Sequence, residues 1–143
     1  MSDLGKILIV DDDASIRTVF STQLIKAGYA VEPAENGKQA IEKSKAGFYN
    51  LALIDIRLPD MEGIDLLTAL KQTTPKMRKI IVTGFPNLQN AIKAVNNDAD
   101  AYLTKPVDIK VLLAKIKEQL NKQQEDDEYT QNKIADYIMT KVS

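Results

Sequence analysis

Five short apolar runs, each followed by a stretch whose apolar residues recur at helical spacing, restrict this chain to a narrow class of folds. Runs rich in branched residues form strands buried on both faces. The amphipathic stretch after each run is the crossover that consecutive parallel strands require. The first run, Ile7 to Val10, is followed by Ile16, Val19, Phe20 and Leu24 at helical spacing, up to Gly28, a natural helix stop. Tyr29 to Glu32 is a weak second strand, expected at an edge. Ala40, Ile41 and Ala46 mark a helix ending at Gly47, and Tyr49 to Ile54 form the third, central strand. Ile64, Leu66, Leu67 and Leu70 make a helix closed before Pro75, and Ile80 to Val82 is the fourth strand. Asn87 is placed to cap a helix carrying Leu88, Ala91, Ile92 and Val95. Ala101 to Thr104 is the fifth strand, and Asp108 precedes a final helix with Val111, Leu112, Ile116 and Leu120. The pattern predicts one α/β domain over residues 1–121, a doubly wound five-stranded parallel sheet with helices on both faces.

Charged residues fall where this frame can use them. Asp11 and Asp12 follow the first strand, Asp55 the third, Thr83 the fourth, and Lys105 the fifth, just before Pro106. In an open parallel sheet, ligands bind beyond the carboxyl ends of the strands, where the strand order reverses. Two carboxylates about 4 Å apart repel by roughly 4 kcal/mol at an effective dielectric near 20. Three therefore need a strong counter-charge. The chain has no cysteine and no histidine, so its ligands are oxygens, which favour a hard cation such as Mg²⁺. Three carboxylates, Mg²⁺ and Lys105 sum to zero. Taken singly, these residues have plainer readings: Asp13 as a helix cap, Asp60 and Glu62 as loop or helix-start carboxylates, Thr83 as a strand-end hydroxyl, Lys105 as a surface lysine. It is their combination at matching strand ends that points to a site.

The same composition excludes several chemistries. Without histidine or cysteine there is no imidazole base, no phosphohistidine on this chain, no thiolate nucleophile and no disulfide. A net charge of −1 leaves no overall footprint for nucleic acid or an anionic membrane. The first residues lack the pattern of a secretory signal and no apolar run approaches a membrane span, so the expectation is a cytoplasmic protein.

The elements Ile7-Leu8-Ile9-Val10-Asp11-Asp12-Asp13, Ala52-Leu53-Ile54-Asp55-Ile56-Arg57-Leu58-Pro59-Asp60-Met61-Glu62-Gly63, Ile81-Val82-Thr83-Gly84 and Tyr102-Leu103-Thr104-Lys105-Pro106 resemble, in order and spacing, the receiver domain of two-component response regulators. The resemblance covers residues 5 to about 121. It implies a flavodoxin-like sheet of strand order 2-1-3-4-5, an order inherited from the family rather than read from the residues. It also implies that Asp55 accepts a phosphoryl group from a phosphohistidine on a sensor histidine kinase or phosphotransfer protein. Asp12, Asp55 and the Arg57 carbonyl would ligate Mg²⁺, with Asp11 acting largely through water. Lys105 and the Thr83 hydroxyl would hold the phosphoryl oxygens, and Thr83 with Tyr102 would form the switch read by a downstream effector. Arg57 and Phe85 occupy positions that vary in the family and influence how long the acyl phosphate lasts.

Two other classes compete with this reading. A Mg²⁺-dependent phosphatase or phosphotransferase would need a second acid/base carboxylate and usually a cap domain, for which the chain has no room. A purely structural interaction module that no longer phosphorylates should have lost at least one of the five site residues. After residue 121 the composition turns polar, Lys122-Gln123-Gln124-Glu125-Asp126-Asp127-Glu128, and is expected to be a solvated helix extension or linker over 122–143. Ile134, Tyr137, Ile138, Met139 and Val142 then form an apolar stripe. It suits either a helix resting on its own domain or a surface for a homodimer or partner. Residues 124–143 are acidic on balance and too few for a winged helix, so no direct nucleic-acid contact is expected from them. The expectation is a free-standing module or one cut from a longer regulator.

Overall fold

The computed structural model of the chain describes residues 4–142, with side chains as far as Met139. Five strands alternate with five helices: β1 (Lys6–Val10), α1 (Ala14–Lys26), β2 (Ala30–Ala34), α2 (Gly37–Ala46), β3 (Leu51–Ile54), α3 (Gly63–Ala69), β4 (Arg78–Thr83), α4 (Leu88–Asn96), β5 (Ala101–Thr104) and α5 (Ile109–Val142). The strands form one parallel sheet in the order β2-β1-β3-β4-β5, so the expected flavodoxin-like topology is present. The order reverses between β1 and β3. That gap is where loops from both halves of the sheet diverge and leave a crevice.

Alternation along each strand divides the core in two, since successive side chains point to opposite faces. Ile7, Ile9, Leu51, Leu53, Ile80 and Val82 pack with Phe20 and Leu24 of α1 and Leu112 and Ile116 of α5. Leu8, Val10, Ala52, Ile54 and Ile81 pack on the other face with Ala40 of α2, Leu66 and Leu67 of α3 and Ala94 of α4. The helix starts are capped as their sequences suggest. Asp13 accepts from Ser15 N and Ile16 N, Asn87 from Asn90 N, and Asp108 from Lys110 N.

Several expectations need correction. β2 begins one residue later than Tyr29 and runs on through Pro33, which an edge strand tolerates because one of its sides makes no ladder bonds. Of the residues at helical spacing on α1, Phe20 and Leu24 are buried but Val19 is exposed. The apolar stripe of α4 also points outward. Leu88, Ile92 and Val95 are exposed and only Ala94 is buried, because a helix at the edge of the layer reaches the sheet through its small residues. Lys79, which no apolar pattern anticipates, is buried on the α3 face with its ammonium donating to the Leu67 carbonyl, one of the last carbonyls of that helix.

Of the two forms expected for the tail, a helix extension or a linker, the structure has the first: α5 continues past residue 121 as one helix of 34 residues, about 51 Å at 1.5 Å per residue. Its polar segment is partly structural. Gln123 is buried, donates to the carbonyls of Asn50 and Lys76, and accepts from Asn50 Nδ2. One turn earlier Gln119 accepts from Arg78 Nε and Nη2 at 3.1 and 2.8 Å. These amides tie α5 to the amino ends of β3 and β4, where the Asn50 carbonyl also accepts from Arg78 N at 3.0 Å. Ile134 lies three turns past Gln123 on the same helix face, yet it and Ile138 are exposed. The helix has by then left the domain, so it does not rest upon it. The Val142 side chain of the expected stripe and the ends of the expected domain and tail, residues 1–3 and 143, lie outside what the structure describes.

Replacing Gln123 with Ala should therefore cost about 1–3 kcal/mol, because it removes a buried amide that bonds the Asn50 and Lys76 carbonyls and the Asn50 side chain. Ile138→Ser should stay within about 0.5 kcal/mol of wild type. Urea denaturation of the two variants would check the contrast, and equal losses would mean that the tail packs against the domain.

Candidate functional site

The β1 ladder ends at Val10, whose carbonyl accepts from Asp55 N at 3.0 Å, while Asp11 N reaches the Ala34 carbonyl at 3.2 Å. Both aspartates thus leave the sheet at its carboxyl edge, on either side of the point where strand order reverses. Asp11 is 3% exposed and Asp55 8%, values at which an unpartnered carboxylate would be very costly. Lys105, brought across from the end of β5, is the partner of both. Its Nζ lies 2.7 Å from Asp11 Oδ2 and 3.2 Å from Asp55 Oδ2. Asp12 sits on the exposed rim, and one carboxylate oxygen from each of Asp11, Asp12 and Asp55 lies within 4.8 Å of the others.

Burial and the close carboxylates shift both members of the Asp55–Lys105 pair upward. Burial first, and then repulsion from Asp11, hold the Asp55 carboxyl above the ordinary carboxylate range despite the opposing pull of Lys105. Burial works against the Lys105 ammonium as well. The hydrogen bond and field of Asp11, joined by those of Asp55, outweigh it and keep the lysine above its usual value. Both groups are raised although they share one ion pair, because burial outweighs the lysine at Asp55 while the two carboxylates outweigh burial at Lys105. Asp55 is left as the under-compensated member.

Backbone and neighbouring side chains set the remaining geometry. Asp11 Oδ1 accepts from Asp13 N at 2.9 Å, and the Asp11 carbonyl accepts from Arg17 Nη1 at 2.7 Å. Asp55 Oδ1 accepts from Arg57 N at 3.3 Å. Gly63 is where the close approach demands glycine: a Cβ there would lie 2.0 Å from the Asp55 carbonyl oxygen. Thr83 is fully buried at the end of β4, with its hydroxyl accepting from Phe85 N at 3.0 Å. Tyr102 packs against the α3-side core. Its hydroxyl is buried and has no hydrogen-bond partner among the described residues.

The expected convergence of Asp11, Asp12, Asp55, Thr83 and Lys105 at one edge of the sheet is present. Arg17 was not anticipated, because its place on α1 carries no motif. Nor was the stacking of the Arg57 guanidinium over the Phe85 ring at 4.0 Å, which links the loops after β3 and β4. The donor set, three carboxylates and no nitrogen or sulfur, suits a hard divalent cation. A cavity of about 790 Å³ bounded by Leu4, Tyr29, Pro75, Leu120 and Gln123 lies at the opposite end of the sheet and contains none of these groups. Among the described residues no helix is long and apolar enough to cross a membrane.

Comparison with known proteins agrees with this geometry. A family model described as the response regulator receiver domain matches residues 7–117. A response regulator receiver domain protein (CheY-like) from Methanospirillum hungatei JF-1 is 46% identical, with 85% of this chain and 97% of that one covered at a TM-score of 0.81. The transcriptional regulatory protein ZraR of Klebsiella oxytoca is 38% identical over 80% of this chain. The DNA-binding transcriptional regulator NtrC of Escherichia coli (strain K12) is 36% identical over 85% of it. The chain spans only 26% of the length of each of these two regulators.

The raised Asp55 carboxyl has a consequence for stability. A carboxyl whose folded value lies above its unfolded one favours folding at low pH and loses that contribution as pH rises through the carboxylate range. At neutral pH, with divalent cations chelated, Asp55→Asn should therefore raise the melting temperature by a few degrees. Scanning calorimetry showing a lower melting temperature for the variant would mean that Lys105 fully compensates Asp55.

Proposed function

Because the chain belongs to the response regulator receiver domain family, whose members are signalling domains that act through phosphorylation of an aspartate, we propose that Asp55 is the phosphoacceptor. The observation that carries the assignment is the position of Asp55, buried at the strand-order reversal and under-compensated by the lysine that it shares with Asp11. An Asp55 oxygen attacks the phosphorus of a phosphohistidine on a partner kinase or phosphotransfer protein. The new bond is P–O, the P–N bond breaks, and the electron pair returns to the imidazole. Asp55 acts as a nucleophile, and the reaction needs no proton relay from a chain without histidine.

Asp12, Asp55 and the Arg57 carbonyl would hold Mg²⁺, with Asp11 contributing through water. The ion would supply charge neutralisation for the phosphoryl oxygens. Lys105, already within hydrogen-bonding distance of Asp55, pairs with those oxygens as charge shifts from the carboxylate to the phosphoryl group. The Thr83 hydroxyl exchanges its bond from Phe85 N for one to the phosphoryl group. Its movement opens space beside Tyr102, whose buried hydroxyl, without a partner among the described residues, makes it the group most ready to reposition. The surface that this changes is that of α4, β5 and α5, where Leu88, Ile92 and Val95 are exposed to a downstream partner. The domain that performs this ends near residue 121, extended by the Gln123 anchor. The remainder of α5 is not required for phosphoryl transfer, and nothing in its acidic surface favours nucleic acid. DNA binding is named for NtrC, of whose length this chain spans 26%. The module is assigned to the cytoplasm, where such kinases present their phosphohistidine.

Incubating the protein with Mg²⁺ and a small-molecule phosphodonor, followed by intact mass measurement, should show one added phosphate that disappears in Asp55→Asn. Steady consumption of donor without a labelled chain would favour a phosphatase instead. Deletion of 124–143 should leave the labelled fraction unchanged, since the contact that it removes from the domain, Arg78 to Asp126 at 3.5 Å, is exposed and weak.

A further inference from the structure

The loop that carries Arg57 is anchored in a way that the phosphoacceptor assignment does not use. α2 opens with three backbone amides, those of Gly37, Lys38 and Gln39, that have no partner inside the helix. Asn36 Oδ1 takes Gln39 N at 2.8 Å as an ordinary local cap. The other two are taken by one residue more than twenty positions away: Asp60 Oδ1 accepts from Gly37 N and Asp60 Oδ2 from Lys38 N, each at 2.9 Å. A carboxylate spanning both amides also meets the positive end of the helix dipole. These two N–H donors hold the Asp60 carboxyl below the usual range. Beside it, Met61 lies so close over Gly37 that a Cβ there would fall 2.4 Å from the Met61 sulfur.

At its other end the same loop is bound to the site. Gly63 N donates to the Ile56 carbonyl at 2.6 Å, Leu58 N to the Met61 carbonyl at 3.2 Å, and Arg57 pairs with Glu62 in an antiparallel bridge. Arg57 N is spent on Asp55 Oδ1, which orients the following peptide. Residues 56–62 thus form a closed turn with its base on Asp55 and its tip on α2. Released at the tip, the turn would be free to pivot about its base, and the Arg57 carbonyl would move with it.

We propose that Asp60 is a positioning residue for the cation site: by clamping the β3–α3 turn to the amino end of α2, it fixes the direction of the Arg57 carbonyl. The proposal rests on the reading of that carbonyl as a Mg²⁺ ligand. The plainer alternative is that Asp60 only stabilises α2, and Asn36 separates the two, because it caps the same helix without touching the turn.

Titration calorimetry of the full chain with MgCl₂, paired with thermal melts, tests the clamp. Asp60→Ala should weaken Mg²⁺ binding by about tenfold, as loss of an outer-sphere support commonly does. Asp60→Asn, which keeps one acceptor oxygen for one of the two amides, should fall between it and wild type and carries the test if Asp60→Ala does not fold. Asn36→Ala should lower the melting temperature comparably yet leave Mg²⁺ affinity unchanged. Equal weakening by Asn36→Ala, or wild-type affinity in Asp60→Ala, overturns the clamp. If wild type binds Mg²⁺ and is labelled at Asp55, such a result removes the clamp alone. If wild type neither binds Mg²⁺ nor is labelled, the phosphoacceptor reading falls first.

Discussion

The repulsion between Asp11 and Asp55 is the constraint around which the carboxyl edge of this sheet is arranged. Two buried carboxylates at neighbouring strand ends cannot be accommodated by solvent, so Lys105 is drawn from β5 across β4 to lie between them. That reach requires the strand order that places β1 and β3 side by side and β5 on the same half. The compensation is incomplete at Asp55, whose carboxyl burial and then Asp11 hold above its ordinary range despite Lys105. A site in this condition has a standing affinity for positive charge.

The rest of the molecule holds this arrangement still. Gly63 packs directly on the Asp55 carbonyl, Asp60 and Met61 tie the following turn to α2, and Arg17 secures the Asp11 carbonyl from α1. Behind the site, the Thr83 hydroxyl accepts from one backbone amide, and the buried Tyr102 phenol has no hydrogen-bond partner among the described residues. A pocket beside one unsatisfied buried hydroxyl, that of Tyr102 among the described residues, is a workable basis for a two-state response, because a small change in charge needs to move little else.

Legibility in the sequence followed physical cause. Asp11, Asp12, Asp55, Thr83 and Lys105 stood out because a charge or hydroxyl directly after a fully apolar run is costly unless a partner or ligand meets it. Asp13, Asn87 and Asp108 were readable as caps because a cap acts on its own next turn. Asp60 was not, since the helix it caps precedes it by more than twenty residues. Gln123 was hidden for a similar reason. Its polarity suggested solvent, but it meets the carbonyls of Asn50 and Lys76 at the base of the sheet. The stripe on α4 misled in the opposite direction, because helical periodicity identifies an apolar face and not what that face meets.

The order of elements, the parallel pairing and the identity of the residues at the strand ends were determined by the sequence alone, through spacing that only βα units satisfy. Which of those residues touch was decided by the tertiary structure. Lys105 prefers Asp11, Asp12 remains on the rim, Arg57 stacks on Phe85, and α5 continues past its domain with Ile134 and Ile138 in solvent. Periodicity is a local property of the chain and survives in a one-dimensional reading. Distance, burial and the balance of charge arise only when segments far apart in sequence are brought together.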